Sequence, residues 1–256
     1  MRTSFIAIVP ARAASTRLPG KMLLDVAGLP LVVRTAQQAA LSQASRLIIA
    51  TDTQEIADIV QAHNYEVILT REDHPSGTDR LAEVVSTLKL EDEQIIVNVQ
   101  GDEPLIAPEL INQVAQELAD NPQASIATCA YPIQSSEALF NPNIVKVVCD
   151  YNNRAMYFSR APIPWARDAF SKDKSLLPKD YIALHHMGLY AYRVKFLKQY
   201  PHLCAGRYEQ LEALEQLRAM EHGYQIQVLI TDAAPLAGID TEQDLERVRN
   251  FLQNKP

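Results

Sequence analysis

Cysteine is scarce. Three residues in 256, Cys129, Cys149 and Cys204, are odd in number and widely separated, with no CxxC spacing, which excludes a disulfide framework and a zinc knuckle. They read as small core residues of a protein in a reducing compartment. Long apolar runs are also lacking, since no stretch approaches the ~18 residues needed to span a bilayer. The start, MRTSFIAIVPARAAS, superficially mimics a secretory signal, but Pro10 and Arg12 cut its apolar stretch short. The expectation is a cytoplasmic protein without a membrane span. Positive charge is in deficit, with 24 Lys and Arg against 31 Asp and Glu and a formal net charge of -7. Such a surface attracts neither phosphate backbones nor anionic lipids, so general nucleic-acid and membrane binding are excluded, while a local basic site is not. Only 8 glycines and 15 prolines, beside 47% hydrophobic residues, exclude collagen-like and disordered chains and leave an ordinary folded protein.

Short runs rich in Ile and Val alternate with amphipathic stretches, the pattern of a mostly parallel α/β sheet covered by helices. Strands are expected at Phe5 to Pro10, Arg46 to Thr51, Glu66 to Thr70, Gln94 to Gln100, Ala124 to Tyr131, Ile144 to Cys149 and Leu184 to Tyr192. Helices are expected at Pro30 to Leu41, Gln54 to His63, Thr78 to Leu88 and Pro108 to Ala119, then one long helix from about Tyr208 to Glu221 and a last one from Thr241 to Phe251. Asp52 or Thr53 suits the cap of the second helix, and Thr241 with Asp244 three residues on makes a capping box for the last. Arg154 to Arg167, RAMYFSRAPIPWAR, carries Pro162 and Pro164 and reads as an ordered extended connection, followed by a polar surface loop from Ala169 to Asp180. Nothing resembles a linker, so residues 1-256 form one unit: a nucleotide-binding lobe over about 1-150, an inserted part over about 151-225, and a return to the core over 226-256.

Three segments carry chemistry. Val9 to Gly20, VPARAASTRLPG, followed by Lys21, leaves a strand with Arg12, Arg17 and Lys21 and no acid among them. Such a loop brings cations, backbone N–H groups and the hydroxyls of Ser15 and Thr16 around a polyphosphate; the alternative is a strand-to-helix turn with solvated arginines. It is neither GxGxxG nor a Walker loop. Val97 to Pro104, VNVQGDEP, is a buried strand ending in Gln, Gly and two carboxylates, which aims Asp102 where ligands of open α/β sheets sit, or else forms a plain turn. Gly238 to Thr241, GIDT, places Asp240 before a helix, where taken alone it reads most simply as a helix-start signal.

Taken with SGTDR at Ser76 to Arg80, YFSRAPIPWARD, HHMGLYAYR, LEQLRAMEHG and GIDTEQDLERVR, these segments resemble the sugar cytidylyltransferases, and within them the branch that activates 3-deoxy-manno-octulosonate (Kdo). The match runs along nearly the whole chain in the family's order. The resemblance implies a Rossmann-like sheet of the nucleotide-diphospho-sugar transferase type with a sugar-side lobe, a homodimer, and a Mg²⁺-dependent reaction of CTP with Kdo giving CMP-Kdo and pyrophosphate for lipopolysaccharide biosynthesis. It implies that Pro10, Ala11, Arg12, Ser15, Thr16, Arg17 and Lys21 hold the triphosphate, and that Arg80 and Gln100 lie near cytosine and ribose. Asp102 and Asp240 match the metal-binding aspartates, and Arg12, Lys21, Asp102 and Asp240 the catalytic set. Arg160, Arg167, His186, Tyr190, Glu215 and Gln216 match the sugar side, with Arg160 or Arg167 suited to a carboxylate.

Plainer roles stand beside these. His186 suits a core histidine, Glu215 and Gln216 the solvated flank of a helix, and at least one of Tyr190 and Tyr192 the core. His185 stands where the family often has an arginine, and Ala166 where it often has an acid. Other sugar acids, the 8-amino analogue of Kdo among them, and a non-catalytic CTP-binding protein of the same fold are the competing functions.

Overall fold

The first strand shows how the sheet is covered. Phe5, Val9 and Ala11 point into one apolar cluster while Ile6 and Ile8 point into another, so an uninterrupted apolar run is what a strand buried on both faces requires. The computed structural model describes residues 3–13, 18–232 and 238–253. Among these the elements run β1 (Phe5–Ala11), α1 (Leu31–Ala40), β2 (Arg46–Thr51), α2 (Gln54–Ala62), β3 (Glu66–Leu69), α3 (Gly77–Thr87), β4 (Ile95–Asn98), α4 (Pro108–Asp120), β5 (Ile126–Pro132), α5 (Ser136–Phe140), β6 (Lys146–Cys149), β7 (Ala155–Ser159), α6 (Arg167–Phe170), β8 (Leu184–Arg193), α7 (Val194–Gln199), α8 (Arg207–Glu212), α9 (Gln216–Glu221), β9 (Ile226–Ile230) and α10 (Glu242–Gln253).

The strands form one mixed, mostly parallel sheet in the order β3-β2-β1-β4-β8-β5-β9. Strands β3, β2, β1 and β4 are mutually parallel, β8 is antiparallel to β4 and β5, and β9 is parallel to β5. Helices α1, α2 and α4 cover one face, and α3, α7 and α9 the other. The chain order reverses between β1 and β4, and the carboxyl ends of neighbouring strands part at such a switch point to leave a crevice. Beyond the end of β4 the edge of β8 is taken over by β6, which pairs Lys146 with His185, and β6 carries β7 outside it. A bulge in β8 faces the step between Thr128 and Cys129. It exposes the Gly188 carbonyl, which accepts from Gln100 Nε2 at 3.2 Å.

Several expectations need correction. The single helix expected from Tyr208 to Glu221 is two helices, broken at Ala213 in the left-handed region (φ 50°). The connection Arg154 to Arg167 begins as strand β7, and β9 is a further strand that lay unassigned within the returning segment. Thr53 occupies the N-cap of α2 but makes no side-chain cap bond, its hydroxyl being buried without a partner among the described residues, while Asp52 is engaged by Arg80 and the Ala13 N–H. All three cysteines are free thiols, but only Cys129 is fully buried and Cys204 is exposed. Burial drives the Cys149 thiol up to about 11, which leaves it protonated and unreactive at neutral pH. No helix among the described residues is long and apolar enough to cross a membrane.

Candidate active site

The crevice opens into a cleft of about 480 Å³ lined by the ends of β1 and β4, the start of α3, one side of β8, and the segment joining α8 to α9. Gly101 is what lets β4 turn there. A Cβ on it would lie 2.6 Å from the Pro10 carbonyl oxygen, and Thr35 Oγ1 donates to its carbonyl at 2.9 Å.

Lys21 is the focus of one end. Gly20, at φ 65°, bends the chain into a short 3-10 turn that buries Lys21 and Met22. The Lys21 ammonium then donates to Asp102 Oδ2 at 2.5 Å, to Asp240 Oδ1 at 3.3 Å and to the Ile239 carbonyl at 3.3 Å. Asp240 reaches this point because α10 packs Leu245 and Val248 against Val26 and Leu31, while Gly238 lies so close to the Asp102 carbonyl that a Cβ would approach it to 2.9 Å. Three segments remote in sequence thus meet at one ammonium. Pro10, Arg12 and Lys21 line the cleft, Ala11 is buried behind it, and Ser15, Thr16 and Arg17 lie outside the described residues. Behind Asp102, burial and then the charges of Asp102 and Asp240 push the Glu103 carboxyl up to about 7. That end of the cleft holds more carboxylate than one lysine neutralises.

Arg80 and Gln100 also line the cleft. Arg80 is only 3% exposed, with Nη1 on Thr70 Oγ1 and Nη2 on Asp52 Oδ2 at 2.9 Å. The other oxygen of Asp52 accepts from the Ala13 N–H at 3.0 Å, so this carboxylate ties α3 to the loop that follows β1. Ser76 caps α3, its hydroxyl accepting from the Asp79 N–H at 3.2 Å.

At the opposite end Tyr190, Glu215 and Gln216 face the cleft. Thr78 Oγ1 donates to Glu215 Oε2 at 3.0 Å; burial raises the Glu215 carboxyl, while the Thr78 and Ser76 hydroxyls oppose the rise. A ladder of rings, Tyr190, Tyr192, Phe196 and Tyr200, floors this end, with the Arg218 guanidinium 4.5 Å from the Tyr200 ring. Asn98 Oδ1, Tyr200 OH and Gln216 Nε2 are buried without partners and belong to residues that line the cleft.

Three expected sugar-side residues are not brought into the cleft. Arg160 spends its guanidinium on the carbonyls of Glu212 (2.6 Å), Pro142 (3.1 Å) and Ala213 (3.4 Å). Arg167 extends into solvent, its side chain 92% exposed, beside Asp168 at 3.5 Å. His186 is a core histidine behind Tyr190, bonded through Nε2 to Thr128 Oγ1 at 3.0 Å, and burial, with His185 adding to it, pushes it down to about 3. Since the Thr128 hydroxyl has one proton to give and two backbone carbonyls within 3.1 Å, the neutral ring donates from Nε2. Asn98, Tyr192 and Tyr200 also line the cleft without having been named for it, Thr78 lines it from within the SGTDR motif that the resemblance had marked, and Asp52 acts from behind through Arg80. Asn98 had left a signal, as a lone amide inside the apolar run IIVNV.

Residues 6–226 match the family described as Cytidylyltransferase. The chain belongs to this family. The cytidylyltransferase superposes on the structure of a CMP:2-keto-3-deoxy-manno-octonic acid synthetase complexed with CTP, with a TM-score of 0.89 and 39% identity over 98% of each chain. A cytidylyltransferase from Leptospira borgpetersenii serovar Hardjo-bovis (strain JB197), 15% identical over 100% of this chain and 89% of its own, shares the fold with a TM-score of 0.62. The crevice at the β1/β4 switch point, with Lys21 at its focus, is therefore the candidate site of a nucleotidyltransferase.

Proposed function

We propose that the enzyme transfers the cytidylyl group of CTP to the anomeric hydroxyl of Kdo, releasing pyrophosphate and forming CMP-Kdo. The observation that carries this is the meeting of Lys21, Asp102 and Asp240 at one end of a cleft also lined by Tyr190, Glu215 and Gln216, in a chain 39% identical to a synthetase of that product. The sugar hydroxyl attacks the α-phosphorus and gives up its proton to solvent, the bond from that phosphorus to the oxygen bridging it to the β-phosphate breaks, and the electron pair leaves with pyrophosphate. Catalysis at phosphorus is mainly positioning and charge stabilisation. Lys21 and Arg12 supply positive charge for the phosphates and the departing pyrophosphate. Arg80, held by Asp52, and Gln100, held on Gly188, are pre-aligned for the nucleoside. Glu215 and Gln216 offer an acceptor and donors to sugar hydroxyls.

The donor set suits Mg²⁺. Asp102 and Asp240, both in contact with the Lys21 ammonium, would provide two hard oxygen ligands, and since the described residues hold no group of three or more His, Cys, Asp or Glu, the rest of the shell would come from phosphate oxygens and water. Two carboxylates completed by phosphate oxygens and water are how Mg²⁺ is commonly bound. When bound, the ion polarises the α-phosphate and acidifies a coordinated hydroxyl. Association into a homodimer and use of the product in lipopolysaccharide assembly belong to the same proposal, and sedimentation equilibrium at micromolar concentration checks the dimer.

Positional labelling tests the chemistry. With CTP labelled at the α-phosphorus, the label is expected in the sugar product, and with label at the γ-phosphorus in pyrophosphate. Label from the γ-position in the sugar product would mean a kinase and would sink the proposal.

A further inference from the structure

No helix-breaking residue marks the break between α8 and α9, although contacts within the segment hold it folded back: Arg218 Nη2 donates to Glu209 Oε1 at 2.6 Å, and the Glu221 carboxylate accepts from the Tyr208 and Glu209 N–H groups at 3.1 and 3.2 Å. From Arg207 to His222 the sequence RYEQLEALEQLRAMEH contains neither Gly nor Pro and is built largely of good helix formers, so in isolation it favours one continuous helix. Yet Ala213 sits at φ 50°, ψ 54°, a conformation an L-residue with a Cβ adopts at a cost. The break also strips the last carbonyls of α8 of the N–H groups a continuing helix would supply, and the Leu217 N–H goes to the Leu214 carbonyl instead.

Arg160 replaces what is lost. Its Nε donates to the Glu212 carbonyl at 2.6 Å and its Nη2 to the Ala213 carbonyl at 3.4 Å. The Glu212 carboxylate is gripped in turn by Ser159 Oγ at 2.6 Å and the Arg160 N–H at 2.9 Å. Beneath them Lys146, fully buried, donates to the carbonyls of Arg160, Ile144 and Asn141 at 2.7, 2.6 and 3.0 Å, which fixes the end of β7 against the start of β6. The bent segment that results, Ala213 to Gln216, lines the cleft. A continuous helix would rotate Glu215 and Gln216 by roughly the angle of the lost turn.

We propose that Ser159, Arg160 and Glu212 form a clip that holds the segment Ala213 to Gln216 bent, and that Arg160 is a positioning residue acting on the sugar through that segment. The kinetic part of this proposal rests on the sugar acid named above, whereas the clip itself is a property of the free enzyme.

Arg160→Met removes every guanidinium donor and keeps the length of the side chain. In hydrogen exchange of the free variant, the amides of 214–218 are expected to exchange at least about tenfold faster while those of β1 and β4 keep their protection. In kinetics, the KM for Kdo is expected to rise about tenfold or more with the KM for CTP within about twofold. Adding Ala213→Gly, which accepts the left-handed conformation freely, is expected to recover at least about a threefold share of the lost KM. Ser159→Ala, a milder change, is expected to give the same pattern at smaller amplitude, which covers the case of a poorly folding Arg160 variant. Unchanged exchange at 214–218 would overturn the clip. A raised KM for Kdo that Ala213→Gly leaves untouched would place Arg160 on the substrate instead. Failure of the wild-type enzyme to use Kdo would refute the choice of sugar, and the exchange experiment would still decide the clip.

Discussion

Lys21 touches both carboxylates that are candidates for the metal, and no other described side chain does so. Its removal takes away the ammonium that joins Asp102 to Asp240 and takes one cation from the phosphates. Lys21→Ala is therefore expected to raise the KM for CTP by about 10- to 100-fold and to leave the KM for the sugar within about threefold, as initial-rate kinetics would reveal. Unchanged CTP kinetics would contradict the phosphate role. Asp102→Asn keeps the shape and loses the charge; about 10²- to 10³-fold lower kcat with an unaltered circular dichroism spectrum is expected. Lys21 and Asp102 stood out because each sits in a compact segment whose residue types already limit the chemistry, whereas Asp240 and Arg80 were marked only by the family resemblance; all four line the cleft. That Arg160 lies outside the cleft was not legible, because its partners, the carbonyls of Pro142, Glu212 and Ala213, lie up to 53 positions away and backbone carbonyls leave no mark in a sequence. The local sequence offers Asp52 or Thr53 as a helix cap; that Asp52 is half of a buried pair with Arg80 depends on how β2 and α3 pack, which no local pattern reports.

At the scale of elements, strand periodicity carried most of the information. The expected span of β2 coincides with the structure, and β1 and β8 differ from theirs only at the last residue, because buried strands must be continuously apolar. The capping box of α10 was legible too. Thr241 Oγ1 accepts from the Asp244 N–H at 3.2 Å, and Asp244 Oδ2 accepts from the Thr241 N–H at 3.0 Å. Thr241→Ala is expected to cost about 1 kcal/mol of stability, measurable as a lower urea midpoint, and to weaken the support of the adjoining Asp240. The break at Ala213 was illegible for the opposite reason: local propensity favours helix there, and tertiary bonds override it. Gly101 belongs to this scale because it joins β4 to its turn. Gly101→Ala must push the Pro10 carbonyl or the Met22 side chain aside, and a loss of about 1–3 kcal/mol with a lower thermal midpoint is expected.

For the whole molecule, the alternation of strands and helices was enough to expect a mostly parallel sheet, but not the antiparallel placement of β8 between β4 and β5 or the takeover of its edge by β6. Those depend on long-range pairing. Stability against acid is also a property of the whole. In the unfolded chain the His186 imidazole takes up a proton near 6.5, whereas the folded protein keeps it neutral down to about 3. Below 6.5 the unfolded state binds the extra proton, so His186 makes stability fall as pH drops from about 6.5 toward 3 and contributes no slope above that window. His186→Gln, which retains a donor for Thr128 and cannot titrate, is expected to flatten the dependence of the urea midpoint on pH between 6.5 and 4; an unchanged slope would contradict the assignment. The central claim concerns the reaction, and pyrophosphate release from CTP and Mg²⁺ tests it most directly, with Kdo, 8-amino-Kdo and a sialic acid supplied one at a time. Release with Kdo, and none without a sugar acid, is predicted. No release with Kdo from an enzyme that binds CTP would contradict the account.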